Sequence, residues 1–147
     1  MNDEIKDLEF VRNWTKLLLE KAQDPSLNVK EAIGQCSQMC YQNNNMDDKL
    51  KDIHNVQEYV ECLRSKFGWT VEFDEENDSL LCHENNTECL CPITRSCKND
   101  ISGSMCYCTE AELVRMTERA TGRKSRATVL RSFIKDGASC VYRIELL

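Results

Sequence analysis

The sequence lacks several things whose absence narrows its function. Its longest apolar runs are only a few residues, so no segment is expected to span a bilayer. Positive charge is not in excess: Lys and Arg total 19 against 25 Asp and Glu, a net charge of −6. Such a surface repels phosphate backbones, so no nucleic-acid partner is expected. The basic stretch from Arg119 to Arg131 reads as the charged end of a helix followed by a solvated strand face. Glycines number five and are scattered, leaving no Gly-rich loop to cradle a phosphate. There are two histidines. His54 is expected on the surface, while His83, beside Cys82, is a candidate ligand or base. The acidic opening Met1-Asn2-Asp3-Glu4 is unlike a secretory leader, so a cytoplasmic location is expected. On that basis the sequons at Asn13 and Asn85 read as chance matches.

What is present is enough apolar residue, 41%, for one core, and one domain is expected over residues 1–147. Three- and four-residue spacing of Ile5, Leu8, Val11, Trp14 and Leu18 predicts a helix from about Glu4 to Ala22. A second is predicted from Asn28 to Tyr41, with Val29, Ile33, Cys36 and Cys40 on one stripe. A third, from Asp52 to Phe67, stops at Gly68. The period then shortens. Thr70–Phe73 and Leu80–His83 predict a hairpin around an acidic turn. A cysteine-rich loop from Glu84 to Cys108 follows, then a helix opened by a Thr109–Glu112 capping box and ended at Gly122. Strands Arg126–Ile134 and Ser139–Leu146, turning at Asp136-Gly137, complete a second hairpin. The expected class is α+β: a helical part over 1–68, then a small antiparallel sheet of two hairpins with one helix between them and the long cysteine-rich loop over 69–147.

The chemistry is expected from the ten cysteines. In a reducing compartment they read as metal ligands or reactive thiols rather than disulfides. Cys89-Leu90-Cys91-Pro92 and Cys106-Tyr107-Cys108 are the leading elements, since four thiolates suit a zinc site and also an iron–sulfur cluster. One intervening residue is short for such chelation: in a strand the two sulfur-bearing positions stand about 6.6 Å apart, so a turn is required. Cys36 and Cys40 share a helix face and read equally as core residues or as further ligands. Cys140 is placed on the apolar face of the last strand, Cys82 is ambiguous, and Cys62 and Cys97 read as bystanders. Cys108, just before the capped helix, sits where the helix dipole favours a thiolate and is the candidate nucleophile.

The stretch from Cys106 through Thr121-Gly122-Arg123 to Asp136-Gly137-Ala138-Ser139-Cys140-Val141-Tyr142-Arg143-Ile144 resembles the end of 4-vinyl reductase-type domains. The Cys-x-Cys-Pro element and the Cys36/Cys40 pair resemble cysteine-rich bacterial and archaeal proteins grouped with the L-2-amino-thiazoline-4-carboxylic acid hydrolase family. The first resemblance implies a small-molecule sensor, in some members zinc-binding, with Cys140 and either Cys106 or Cys108 at matching positions. The family's acidic and cysteine ligands on the intervening strand are missing, because residues 129–132 read Val-Leu-Arg-Ser. Any metal would draw ligands from the loop: Cys89, Cys91, Cys106 and Cys108, with Cys36, Cys40 and Cys140 nearby. The second resemblance implies a hydrolase acting through Cys108 or a metal-bound water, with Arg95 or Arg123 clamping a carboxylate. A thiol redox module is the third reading. The expected partner is a small molecule or metal ion, zinc first and iron second, and a homodimer stays open.

Overall fold

The computed structural model describes residues 3–97 and 102–147. Five helices precede the sheet: α1 (Asp3–Lys21), α2 (Val29–Gln35), α3 (Ser37–Asn43), α4 (Met46–Leu50) and α5 (Val56–Ser65). Strands β1 (Thr70–Asp74) and β2 (Ser79–His83) form the first hairpin. Then come α6 (Pro92–Ser96), a 3-10 turn at Gly103–Met105, α7 (Cys106–Thr121), β3 (Ser125–Arg131), α8 (Phe133–Asp136) and β4 (Val141–Leu146). The class is α+β, and the two hairpins join into one antiparallel sheet of order β1-β2-β4-β3.

Several local expectations are corrected. In α1 only Phe10 and Trp14 are buried, while Ile5 and Leu8 are exposed. Val11, Trp14 and Leu18 of the predicted stripe pack with Phe10 into the smaller core, while Ile5 and Leu8 at its N-terminal end are exposed. The second predicted helix is two helices. The α2 segment starts on a capping box in which the Glu31 N–H donates to Asn28 Oδ1 at 2.8 Å. It tightens at Cys36, whose N–H reaches the carbonyls of both Ala32 and Ile33. Val29 consequently points to solvent, at 69% exposed. The third predicted helix starts later, at Val56, where the Asn55 side chain accepts from the Glu58 N–H at 2.8 Å.

Toward the C-terminus, α7 begins at Cys106, one turn before the predicted Thr109 cap. It ends as expected at Gly122, whose φ of 70° is the left-handed conformation that glycine adopts without steric cost. Strand β3 stops at Arg131, and Phe133–Asp136 coil into α8, capped by Ser132, whose Oγ accepts from the Lys135 N–H. The Asp136-Gly137 pair is therefore the end of a helix, not a tight hairpin turn. The β3–β4 register slips between Val129 and Arg131. There the Val129 N–H donates to Glu110 Oε2 at 2.8 Å, tying β3 to α7.

Two cores result. The larger packs α4, α5 and α7 on one sheet face and includes Tyr59, Leu63, Leu80, Cys82, Met116 and Ile144. Cys62 belongs to it as a buried core residue. The smaller gathers Phe10, Trp14, Ile33, Cys36, Ile93, Met105 and Cys108. Tyr59 and Thr117 are fully buried and their hydroxyls meet at 3.1 Å. Thr117 Oγ1 donates to the Leu113 carbonyl, so Tyr59 is the donor between the two. Leu63 is 0% exposed within the larger core. Its replacement by alanine is expected to cost about 3 kcal/mol in denaturant unfolding; a loss below about 1 kcal/mol would contradict this packing.

Candidate functional site

Where the two cores meet, a cavity of about 780 Å³ opens to the surface. Its walls come from α1, α3, α7, the segment after β2 and the start of β4. Six cysteines line it: Cys40, Cys89, Cys91, Cys106, Cys108 and Cys140. Both Cys-x-Cys elements and the two cysteines expected nearby from α3 and β4 thus share one space. All ten cysteines are free thiols. Cys36 is excluded from the cavity lining: it is fully buried in the smaller core, where its thiol donates to the Trp14 carbonyl at 3.9 Å. Burial pushes its pKa up to about 11. Cys82 is a core thiol as well, pushed to about 12 by burial. Cys97 is exposed. Residues 98–101, which the predicted cysteine loop included, lie outside the described residues.

The closest thiol contact joins Cys40 on α3 to Cys108 on α7, with sulfurs 3.3 Å apart. The two are not equivalent. Cys108 occupies the third position of α7, where the helix dipole favours negative charge. Its pKa is lowered, first by the hydrogen bond from Cys40 and against its own burial. The Trp14 indole N–H is buried without an acceptor at hydrogen-bonding geometry, and it acts on Cys108 from longer range in the same direction. Arg115, whose Nε donates to the buried Ser37 Oγ at 2.7 Å, adds positive charge nearby. The Cys40 pKa is raised, mainly because its proton is held in the bond to Cys108. Of the two sulfurs, Cys108 is the one whose surroundings favour negative charge, and Cys40 is the one held toward its protonated form. Cys108 lies within the first turn of α7, which starts at Cys106.

Opposite this pair, the Tyr142 hydroxyl donates to Glu84, and the Glu84 N–H donates to the Cys140 carbonyl at 3.0 Å. Asn86 brackets Cys140: its Oδ1 accepts from the Cys140 N–H at 2.9 Å and its Nδ2 lies 3.4 Å from the sulfur. Cys106 donates to Ser132 Oγ at 3.5 Å, and burial raises its pKa. Trp69 stands between Phe67 and Tyr142, with ring centroids 5.7 and 5.6 Å away, and these three rings give the cavity an aromatic wall.

Sequence reasoning missed the carboxyls. Glu112 read as the distal half of a capping box. In the structure it projects from the second turn of α7 into the cavity, where Asn44 Nδ2 donates to it at 3.1 Å. Burial pushes its pKa up to about 7, and burial likewise raises that of Glu84. The helical spacing of Cys108 and Glu112, four residues apart, was the available signal.

The remaining predicted site residues divide. Arg95 lines the cavity and pairs with Asp7 at 2.9 Å. Arg123 pairs with Asp78 at 3.3 Å and is not part of the lining. His83, on β2 opposite Val141, does not line it either. A structural zinc asks for four ligands converging on one point. Among the described residues no three His, Cys, Asp or Glu side chains are grouped closely enough to hold an ion. Cys89, Cys91, Cys106 and Cys108 share the cavity without that convergence. Among the same residues, no helix is long and apolar enough to cross a membrane. No family model matches the chain, and no curated protein matches it.

The Glu112 carboxyl sets a pH dependence. Its folded pKa lies above the unfolded value of 4.5, so the native state binds the extra proton. The protein is least penalised below pH 4.5, and it loses stability as pH rises from there through about 7. Glu112→Gln is expected to stabilise the protein by about 1 kcal/mol at pH 8, after allowance for solvent in the open cavity. The gain is expected to vanish below the unfolded pKa, and equal unfolding free energies for the two proteins across the range would refute the assignment.

Proposed function

We propose that this chain is a small-ligand-binding domain whose cavity presents a hydrogen-bonded pair of cysteines to its occupant. The observation that supports the reading best is the gathering of six cysteines, from separate parts of the sequence, around one space of ligand size. The rings of Phe67, Trp69 and Tyr142 suit a planar or aromatic molecule. Carboxyls held toward their protonated forms, at Glu84 and Glu112, suit hydrogen bonding to an uncharged ligand better than clamping an anion. A carboxylate clamp from Arg123 is not supported, since Arg123 is engaged with Asp78 away from the cavity. Free thiols at a working site fit a reducing compartment, and the cytoplasm is the location proposed.

Nile red, a neutral planar fluorophore, tests the cavity. It is expected to bind with a blue-shifted emission and to quench Trp69 by energy transfer. Thr109 lines the cavity from the first turn of α7 without belonging to either core. Thr109→Trp is expected to fill the space and weaken binding at least about tenfold, a loss near 1.4 kcal/mol. Unaltered binding in that variant, or no binding to the wild type, would remove the proposal. Metal analysis of protein purified without tag metals separates it from the metal-holding alternative. A full equivalent of zinc or iron would put an ion where the ligand is placed.

A further inference from the structure

We infer that Cys40 and Cys108 form a dithiol that exchanges with low-molecular-weight disulfides entering the cavity, Cys108 attacking first and Cys40 resolving. The inference rests on the cavity being a small-molecule site and adds to it a reaction. Three geometric facts carry it. The two sulfurs stand 3.3 Å apart, although the residues are far apart in sequence and lie on different helices. Closing to a bond of about 2.05 Å asks for a movement of roughly 1.3 Å, within reach of small side-chain rotations. Both residues line the cavity, Cys40 half-buried and Cys108 3% exposed, so the pair is approached from the cavity side.

The order of attack follows from the surroundings. Cys108 faces the helix N-terminus, the Arg115 charge and the Cys40 hydrogen bond. Glu112 opposes the ionisation of both thiols, so the distinction lies in the helix start and the Arg115 charge at Cys108. In the first step the Cys108 thiolate attacks one sulfur of the disulfide RSSR. The S–S bond of RSSR breaks, a Cys108–SR bond forms, and RS⁻ departs carrying the Cys40 hydrogen as RSH. In the second step the Cys40 thiolate attacks the Cys108 sulfur, expelling the other RS⁻, which takes a proton from water. Cys40 and Cys108 are oxidised to a disulfide by two electrons, and RSSR is reduced to two thiols.

The probe is bis(2-hydroxyethyl) disulfide, small and uncharged, added to the full chain and followed by acid quenching, non-reducing digestion and mass spectrometry. The expected principal product joins the Cys40 and Cys108 peptides. Cys40→Ser is expected to stop at a mixed disulfide on Cys108. Cys108→Ser is expected to slow the first reaction at least about tenfold. Wild type that forms adducts or cross-links without the Cys40–Cys108 product overturns the inference, as does a Cys108→Ser protein reacting at the wild-type rate. Nile red binding to the wild type keeps the two proposals apart. Binding without exchange sinks this one alone, and absence of both sinks the ligand site with it.

Discussion

Everything in the arrangement depends on α7 belonging to two cores at once. Leu113, Met116 and Ala120 are locked into the larger core against the sheet, while Cys108 belongs to the smaller core with Phe10, Trp14 and Ile33. A helix fixed on two sides cannot rotate without opening one of them, because close-packed interiors do not deform continuously. The side chains that project between the two packed faces are Thr109 and Glu112, and they line the cavity. The space is thus a gap held open by the fixed orientation of one helix. The Arg115–Ser37 and Glu110–Val129 hydrogen bonds pin that orientation to α3 and β3.

The site contains opposed electrostatic solutions a short distance apart. A thiol on the first turn of α7 is drawn toward its charged form by donors, while a carboxyl on the next turn is driven toward its neutral form by burial. Both groups are four residues apart on one helix, so the difference arises from their neighbours and not from depth alone. Keeping Glu112 protonated spares Cys108 a full negative charge beside it. Its charge would raise the Cys108 pKa, and the local proton balance therefore couples the acid to the thiol.

Much of the fold was legible because it rests on period and punctuation. The alternation of Tyr142, Ile144 and Leu146 placed β4 with its apolar face inward, and Gly122 marked the end of α7 correctly. The errors have local causes. Val29 looked like core because its spacing matched Ile33 and Cys36, yet the chain tightens at Cys36 and turns that face outward. Thr109 and Glu112 satisfy the pattern of a capping box, but the 3-10 turn at Gly103–Met105 feeds straight into the helix and starts it a turn earlier. Phe133–Asp136 is too short for helical periodicity to register, so it read as strand. For the site, the crowding of cysteines pointed to the right segment. Which two would touch was not readable, since the contact between Cys40 and Cys108 is a tertiary fact set by the packing of α3 on α7. His83 and Arg123 were attractive by residue type alone, and the sheet register and an ion pair with Asp78 take them elsewhere.

The α1 helix carries a consequence of its own. Of its 19 residues only Phe10 and Trp14 are fully buried, with Val11, Leu17 and Leu18 partly buried beside them, and one side-chain link to α6 is the solvent-screened Arg95–Asp7 pair. Few buried apolar contacts over a long segment mean a small local opening free energy, well below that of the sheet and α5. Detaching α1 would leave the larger core untouched, because none of that core's buried residues comes from it. It would also strip the cavity of one wall and uncover Cys36, which the closed form seals completely. The fold therefore orders its thiols: exposed Cys97 first, then the cavity set, Cys36 only if α1 opens, and Cys82 with global unfolding.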